Sequence, residues 1–143
     1  MGLSAVILSE LRRIVDSKGM LTESIDLTAY SFDATTGWRA VPEVVVFPTT
    51  SEQISRIMKL ATEYGIPVTP RGAGSNLSGG SVPVSGGIVL CTTRMNRIVK
   101  VDAENFTVTA EPGVVLNDLN KELTKQNLFF PPDPQSFLAA TIG

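Results

Sequence analysis

The 143-residue sequence predicts an α+β fold, with one βαβ unit followed by mostly antiparallel strands. Three observations carry this. The β-branched run Val44-Val45-Val46-Phe47, an amphipathic stretch over 54–64 and the short run Val68-Thr69 have the order and lengths of strand, helix, strand. Two strand-like runs beyond residue 97 lie close enough together to form a hairpin. Hydrophobic residues make up 43% and charged residues 18%, which suits a chain that buries a core. At this length the chain holds one real core, with a helix and turn-rich lead-in over 1–40 and the main unit over 41–143.

Leu8, Leu11, Ile14 and Val15 recur at helical spacing, and Gly19 is placed to end that helix. Residues 22–39 read as a polar, turn-rich passage containing Tyr30, Asp33 and Trp38, the last expected to pack. Val44 to Phe47 follow as a buried strand closed by Pro48. Thr49 with Glu52, or Thr50 with Gln53, has capping-box spacing for the next helix. On that helix Ile54, Ile57, Met58, Ala61 and Tyr64 line one face, and Gly65 ends it. Val68 and Thr69 begin a second strand, and 87–91 reads as a third. Residues 98–101 and 106–110 form the hairpin, turning at Asp102-Ala103-Glu104-Asn105. Leu116, Leu119 and Leu123 mark a last helix stopping near Asn127. The ending Ala139-Ala140-Thr141-Ile142-Gly143 reads as a second glycine-rich loop cut short.

Several function classes fall away on composition. A net charge of -2 without a run of Lys or Arg, and only 6% aromatics, exclude a nucleic-acid groove. No apolar stretch is long enough to span a bilayer, and Met1-Gly2 lacks the hydroxyl that a myristoylation signal needs at position 6. The single cysteine, Cys91, rules out an intrachain disulfide and any cysteine-cluster metal site, and its apolar surroundings predict a buried thiol. This cysteine usage predicts a reducing, cytoplasmic setting.

The chemistry points to Pro70-Arg71-Gly72-Ala73-Gly74-Ser75-Asn76-Leu77-Ser78-Gly79-Gly80-Ser81. Without a Cβ, glycine lets successive backbone N–H groups turn inward and a ligand approach the main chain, which makes an anion nest. Arg71 adds a positive charge, as loop anchor or neighbour of a pyrophosphate. The alternative is a flexible Gly/Ser linker, which fits poorly between two patterned apolar segments. A P-loop is disfavoured because Gly80 stands at the lysine position and Val82-Pro83-Val84 follows in place of a helix. A dinucleotide fingerprint is disfavoured because Leu77 stands where its third glycine belongs.

The glycine loop, Gly86-Gly87-Ile88-Val89-Leu90, Arg94-Met95-Asn96-Arg97-Ile98, Glu111-Pro112-Gly113-Val114, Phe130-Pro131-Pro132-Asp133-Pro134 and Ala140-Thr141-Ile142-Gly143 together resemble the FAD-linked oxidases. The branch they resemble most is that of the glycolate oxidase D-subunit and D-lactate dehydrogenase, from about Ser31 onward. The resemblance implies the first subdomain of an FAD-binding domain of the vanillyl-alcohol oxidase and p-cresol methylhydroxylase type. It implies an FAD pyrophosphate cradled by Arg71, Gly72, Ala73, Gly74, Ser75, Asn76 and Leu77. Gly80 and Ser81 match the returning loop, and Pro132, Asp133, Thr141 and Gly143 match a second contact region. It further implies a small 2-hydroxy acid as substrate of a cap domain beyond this stretch, and iron-sulfur subunits as electron acceptors.

Some relatives attach FAD through a histidine at the position of Ser75. This chain has no histidine, so the resemblance implies non-covalent FAD. A Gly-Ser-Asn-Leu loop also resembles UDP-N-acetylenolpyruvoylglucosamine reductase, and a stand-alone pyrophosphate-binding subunit or an interaction domain with a vestigial loop are the alternatives. No residue here is assigned to catalysis. Asp102 and Glu104 read as solvated turn charges, Arg94 and Arg97 as surface charges, and Asp133 equally as a turn former or a cofactor contact. The chain is therefore expected to be a piece of an oxidoreductase, inactive alone.

Overall fold

The computed structural model describes residues 2–143. Ser4 opens the first helix by accepting a hydrogen bond from the Ile7 amide, and α1 runs Ala5–Val15. It ends earlier than Gly19, at Asp16, whose φ is +69° and whose carboxylate accepts from the amides of Lys18 and Gly19 at 2.7 and 2.9 Å. A 3-10 turn, Ser17–Gly19, then leads into the short strand β1, Met20–Leu21. The turn-rich passage also contains a short helix, α2 (Ser24–Thr28), which buries Leu27.

Next come β2 (Val44–Val46), α3 (Ser51–Tyr64), β3 (Val68–Arg71) and β4 (Ile88–Cys91). Thr50 is the cap of α3, accepting from the Gln53 amide, while Gln53 Oε1 accepts from the Thr49 amide at 2.7 Å. Of the two capping pairs legible in the sequence, Thr50 with Gln53 forms. Ile54, Ile57 and Ala61 face the core, whereas Met58 and Tyr64 are 43% and 51% exposed. Met58 sits roughly 100° around the helix from Ile57, which turns it off the buried stripe.

The main sheet has the order β1-β2-β4-β3. β2 and β3 are parallel, as the βαβ reading requires, yet they are not neighbours: β4 runs between them, parallel to both, with Val45 and Thr69 flanking Val89. The reason lies in the side chains. Ile88, Val89, Leu90 and Cys91 are all buried, and such a strand needs partners on both edges and cover on both faces. β3 carries Pro70, which cannot donate to a ladder and suits an edge. α1 and α3 cover Val44, Val46, Ile88 and Leu90 on one face. Leu27, Tyr30 and Phe47 cover Val45, Val89 and Cys91 on the other.

A second sheet is the antiparallel hairpin of β5 (Ile98–Asp102) and β6 (Thr107–Ala110). Asp102 holds its turn by accepting from the Asn105 amide and side chain. α4 (Leu116–Thr124) packs Leu119 and Leu123 against Ile98, Val101 and Val108. The last residues fold back onto this unit through a Val115–Thr141 bridge, with the amides of Ile142 and Gly143 donating to Val114 and Pro112. The α+β class stands, with the third strand placed inside the crossover rather than after it.

Candidate cofactor-binding site

β3 ends at Arg71, and the glycine loop leaves the sheet there, beyond the C-terminal end of a parallel strand. The start of the loop is tied to β4. Thr92 Oγ1 donates to the Arg71 carbonyl at 3.4 Å, and the Cys91 thiol donates to the Gly72 carbonyl at 3.8 Å. Arg71 is 8% exposed. Its Nη1 donates to the Phe32 carbonyl at 2.8 Å, and its guanidinium carbon lies 5.4 Å from the centre of the Tyr30 ring. The cation thus sits beneath the loop as an anchor rather than at its mouth. Burial, with a smaller push from nearby Cys91, raises the Tyr30 phenol above its ordinary value, and the Arg71 charge opposes this.

Gly74 has φ +72°, a left-handed conformation natural to glycine, and a Cβ there would overlap the Arg71 guanidinium. Gly72 packs so closely on Thr141 and the Gly143 carbonyl that a Cβ would collide with both. The loop and the C-terminal segment therefore touch. The Ala73 amide donates to Thr141 Oγ1 at 3.3 Å, and Thr141 Oγ1 donates to the Gly143 carbonyl at 2.9 Å. Gly72, Ala73, Gly74, Ser75, Asn76, Thr141 and Gly143 line a cleft of about 140 Å³. Ala73 and Thr141 also border a second cleft of about 210 Å³ reaching Thr93, Asn96 and Gly113.

The far side of the loop is held by residues 33–35, a segment that composition alone marks only as polar turns. Asp33 is 7% exposed and accepts from Asn76 Nδ2 at 2.6 Å, from Ser81 Oγ at 3.3 Å and from the Thr35 amide at 2.8 Å. Ser81 Oγ also lies 2.8 Å from Asn76 Oδ1. Thr35 Oγ1 accepts from the Gly79 amide at 2.7 Å, and the Ala34 amide donates to the Asn76 carbonyl at 3.2 Å. Burial pushes the Asp33 carboxyl up, but hydrogen bonds from Thr35, Asn76 and Ser81 outweigh it and hold the carboxyl at about 2. Trp38, expected to pack, is 55% exposed and lies across Gly79.

With both ends of the loop fixed, the amides of Gly74, Ser75, Asn76, Leu77 and Ser78 donate to no acceptor among the described residues. A run of free donors on a braced loop is what an anionic group needs from the main chain. Leu77, 79% exposed, and Gly80 stand on the open side, and Ser81 is buried in the Asp33 cluster. Pro132 and Asp133 are exposed and line neither cleft. Among the described residues no group of three His, Cys, Asp or Glu side chains converges, and no helix is long and apolar enough to cross a membrane.

A family model described as an FAD binding domain matches residues 42–143. The chain is 43% identical over 114 residues to the glycolate oxidase subunit GlcD of Bacillus subtilis, covering 80% of this chain and 24% of that protein. It is 46% identical over 105 residues to a D-lactate dehydrogenase of Anaerostipes hadrus, covering 73% of this chain and 22% of that one. The chain thus spans about a quarter of the length of these relatives. A p-cresol methylhydroxylase with substrate bound superposes with TM-score 0.83 at 26% identity, over 97% of this chain and 29% of the other. An alkyldihydroxyacetonephosphate synthase superposes with TM-score 0.88 at 25% identity, over 99% and 28%. Family match, sequence identity and superposition agree: the chain belongs to the p-cresol methylhydroxylase-type FAD-binding domain family, whose cofactor is FAD.

Proposed function

We propose that this chain forms the pyrophosphate-holding wall of the FAD site in a flavin-dependent dehydrogenase or oxidase acting on a small 2-hydroxy acid of the glycolate or D-lactate type. The observation that carries the reading is the run of free amides from Gly74 to Ser78, braced at both ends. Gly72, Ala73, Gly74, Ser75, Asn76 and Leu77 offer main-chain contacts, with Arg71 anchoring them from below. Thr141 and Gly143 form the facing wall, Gly80 leaves the loop open, and Ser81 keeps its return in place. Pro132 and Asp133 are assigned to the outer margin of the same site. The branch is supported by the relatives' identities of 43% and 46%.

Conversion of a 2-hydroxy acid to a 2-oxo acid releases two electrons and two protons, and bound FAD supplies the two-electron acceptor. This chain contributes binding and orientation. It contains no histidine, so none of its residues can give a histidyl attachment, and the proposed FAD contacts of this chain are non-covalent. A base near the substrate hydroxyl and cations for its carboxylate are required. These are assigned to the part of the relatives' length that the chain does not span, as are a cap domain and contacts to iron-sulfur acceptor subunits. The proposed setting is cytoplasmic, and the chain alone is proposed to lack turnover.

FAD titration followed by quenching of flavin fluorescence tests the reading. Saturable but weak binding is expected, with all flavin released to the supernatant on acid precipitation. No saturation up to ~1 mM FAD would remove the proposal and favour an interaction domain with an idle loop.

A further inference from the structure

Residues 31–39 precede the stretch matched by the family model, which begins at residue 42, yet they make most of the side-chain contacts that hold the glycine loop. At their centre is a buried carboxylate without a cationic partner. Asp33 forms no salt bridge among the described residues. A negative charge beneath an anion-binding loop opposes the anion by simple electrostatics. Its place there calls for a reason other than charge.

The geometry points to Asp33 as a positioning residue for the FAD loop: its carboxylate locks Asn76, Ser81 and Thr35, and Thr35 in turn locks Gly79, so that the amides from Gly74 to Ser78 are held ready for the pyrophosphate. This rests on the FAD reading given above. One carboxylate oxygen accepts from Asn76 Nδ2 and lies 3.3 Å from Ser81 Oγ, whose single proton is shared between it and Asn76 Oδ1, and the other accepts from the Thr35 amide. Asn76 Nδ2 and the Thr35 amide can only donate to Asp33, and a carboxylate can accept on both oxygens. Ser81 Oγ and Asn76 Oδ1 complete a three-membered cluster that ties loop position 76 to loop position 81. Thr35 extends it to the Gly79 amide, and the Ala34 amide adds a main-chain tie at Asn76. The loop between residues 76 and 79 is thereby fixed at its shoulders while its own amides stay unspent. Fixing a binding loop beforehand removes ordering entropy from the binding step.

The inference predicts a sign opposite to the electrostatic one. Asp33→Asn removes a negative charge, which by itself tightens an anion. It also points an NH2 group at the donors of either Thr35 or Asn76 and Ser81, which unlocks the loop. Backbone relaxation by NMR on the 15N-labelled 143-residue chain, with FAD titration of the same samples, separates the two. Expected for Asp33→Asn are an unchanged β2 and β4 spectrum, fast-timescale disorder of the Gly74 to Ser78 amides, and FAD affinity lower by about tenfold or more. The double variant Asp33→Asn with Asn76→Asp restores a matched donor and acceptor, and should recover the loop order that the single variant loses.

Loop amides as ordered as in the parent, with FAD affinity equal or higher, would overturn the assignment; so would a double variant no more ordered than Asp33→Asn. Should Asp33→Asn not fold, Thr35→Val keeps the carboxylate and removes only the acceptor of the Gly79 amide. Unchanged loop order and affinity there would equally overturn the proposal. If the parent chain shows no saturable FAD binding, the cofactor reading fails by itself, and the amide order still decides whether Asp33 sets the loop.

Discussion

Asp33 ties stability to pH as well as holding the loop. Its folded carboxyl lies at about 2, below the ordinary 3.8, so it favours the folded state above the ordinary value. That contribution drains away as pH falls from about 4 through about 2, because the unfolded chain takes up the proton first. Asp102 and Glu111 are also lowered, by Lys100 and by Arg97 respectively, so the acid loss of the whole protein is shared. The Asp33 part is isolated by comparison: the melting-temperature gap between the parent and Asp33→Asn should narrow across that window. A gap constant from pH 6 to about pH 2 would contradict the assignment. Gly74→Val tests the loop from its other side. Valine disfavours positive φ, and its Cβ displaces the Arg71 guanidinium, so a loss of about 1–3 kcal/mol in stability is expected with a clear drop in FAD affinity. Urea denaturation and flavin fluorescence measure the two. The glycines of this loop were legible as a candidate anion site because absent side chains leave a pattern. Asp33 was not, because its meaning comes from Asn76 and Ser81, more than forty positions away.

At the scale of elements, local signals were reliable wherever the interaction is itself local. Thr50 and Gln53 cap α3 within one turn, so their spacing announces the bond. Thr50→Ala should cost about 1 kcal/mol in chemical denaturation with no change in slope, since the helix shortens without leaving the core. A loss near zero would mean that Gln53 and Thr49 carry the cap alone. Where an element's end depends on a competing contact, the local signal misleads. Gly19 marks a helix stop by type, but Asp16 stops α1 first by accepting from two amides. Met58 and Tyr64 extend an apolar stripe in the sequence, and the sheet beneath α3 covers only Ile54, Ile57 and Ala61 of that stripe.

Two bodies make up the whole molecule. In the four-stranded sheet every residue of the inner strands β2 and β4 is buried. The hairpin is half-buried and leans on α4 through Ile98, Val101 and Val108. Native-state hydrogen exchange should therefore find the amides of β2 and β4 opening only with global unfolding, and those of β5 and β6 at lower free energy. Uniform protection across both sheets would show them to be one cooperative unit. On the proposed reading, FAD in the cleft between the loop and Thr141 should slow exchange at residues 72–78 and 141–143 together, because the cleft is lined by both.

By itself the sequence determined the α+β class, the βαβ crossover, the capped helix, the hairpin and the position of the glycine loop. These rest on period, caps and backbone freedom, all of which act over a few residues. Tertiary structure alone decided that β4 enters between β2 and β3, that Arg71 lies under the loop, that Thr141 closes on Gly72, and that the lead-in residue Asp33 bonds to Asn76. Each of these satisfies a buried group with a partner distant in the chain, and no short-range pattern encodes which partner that is.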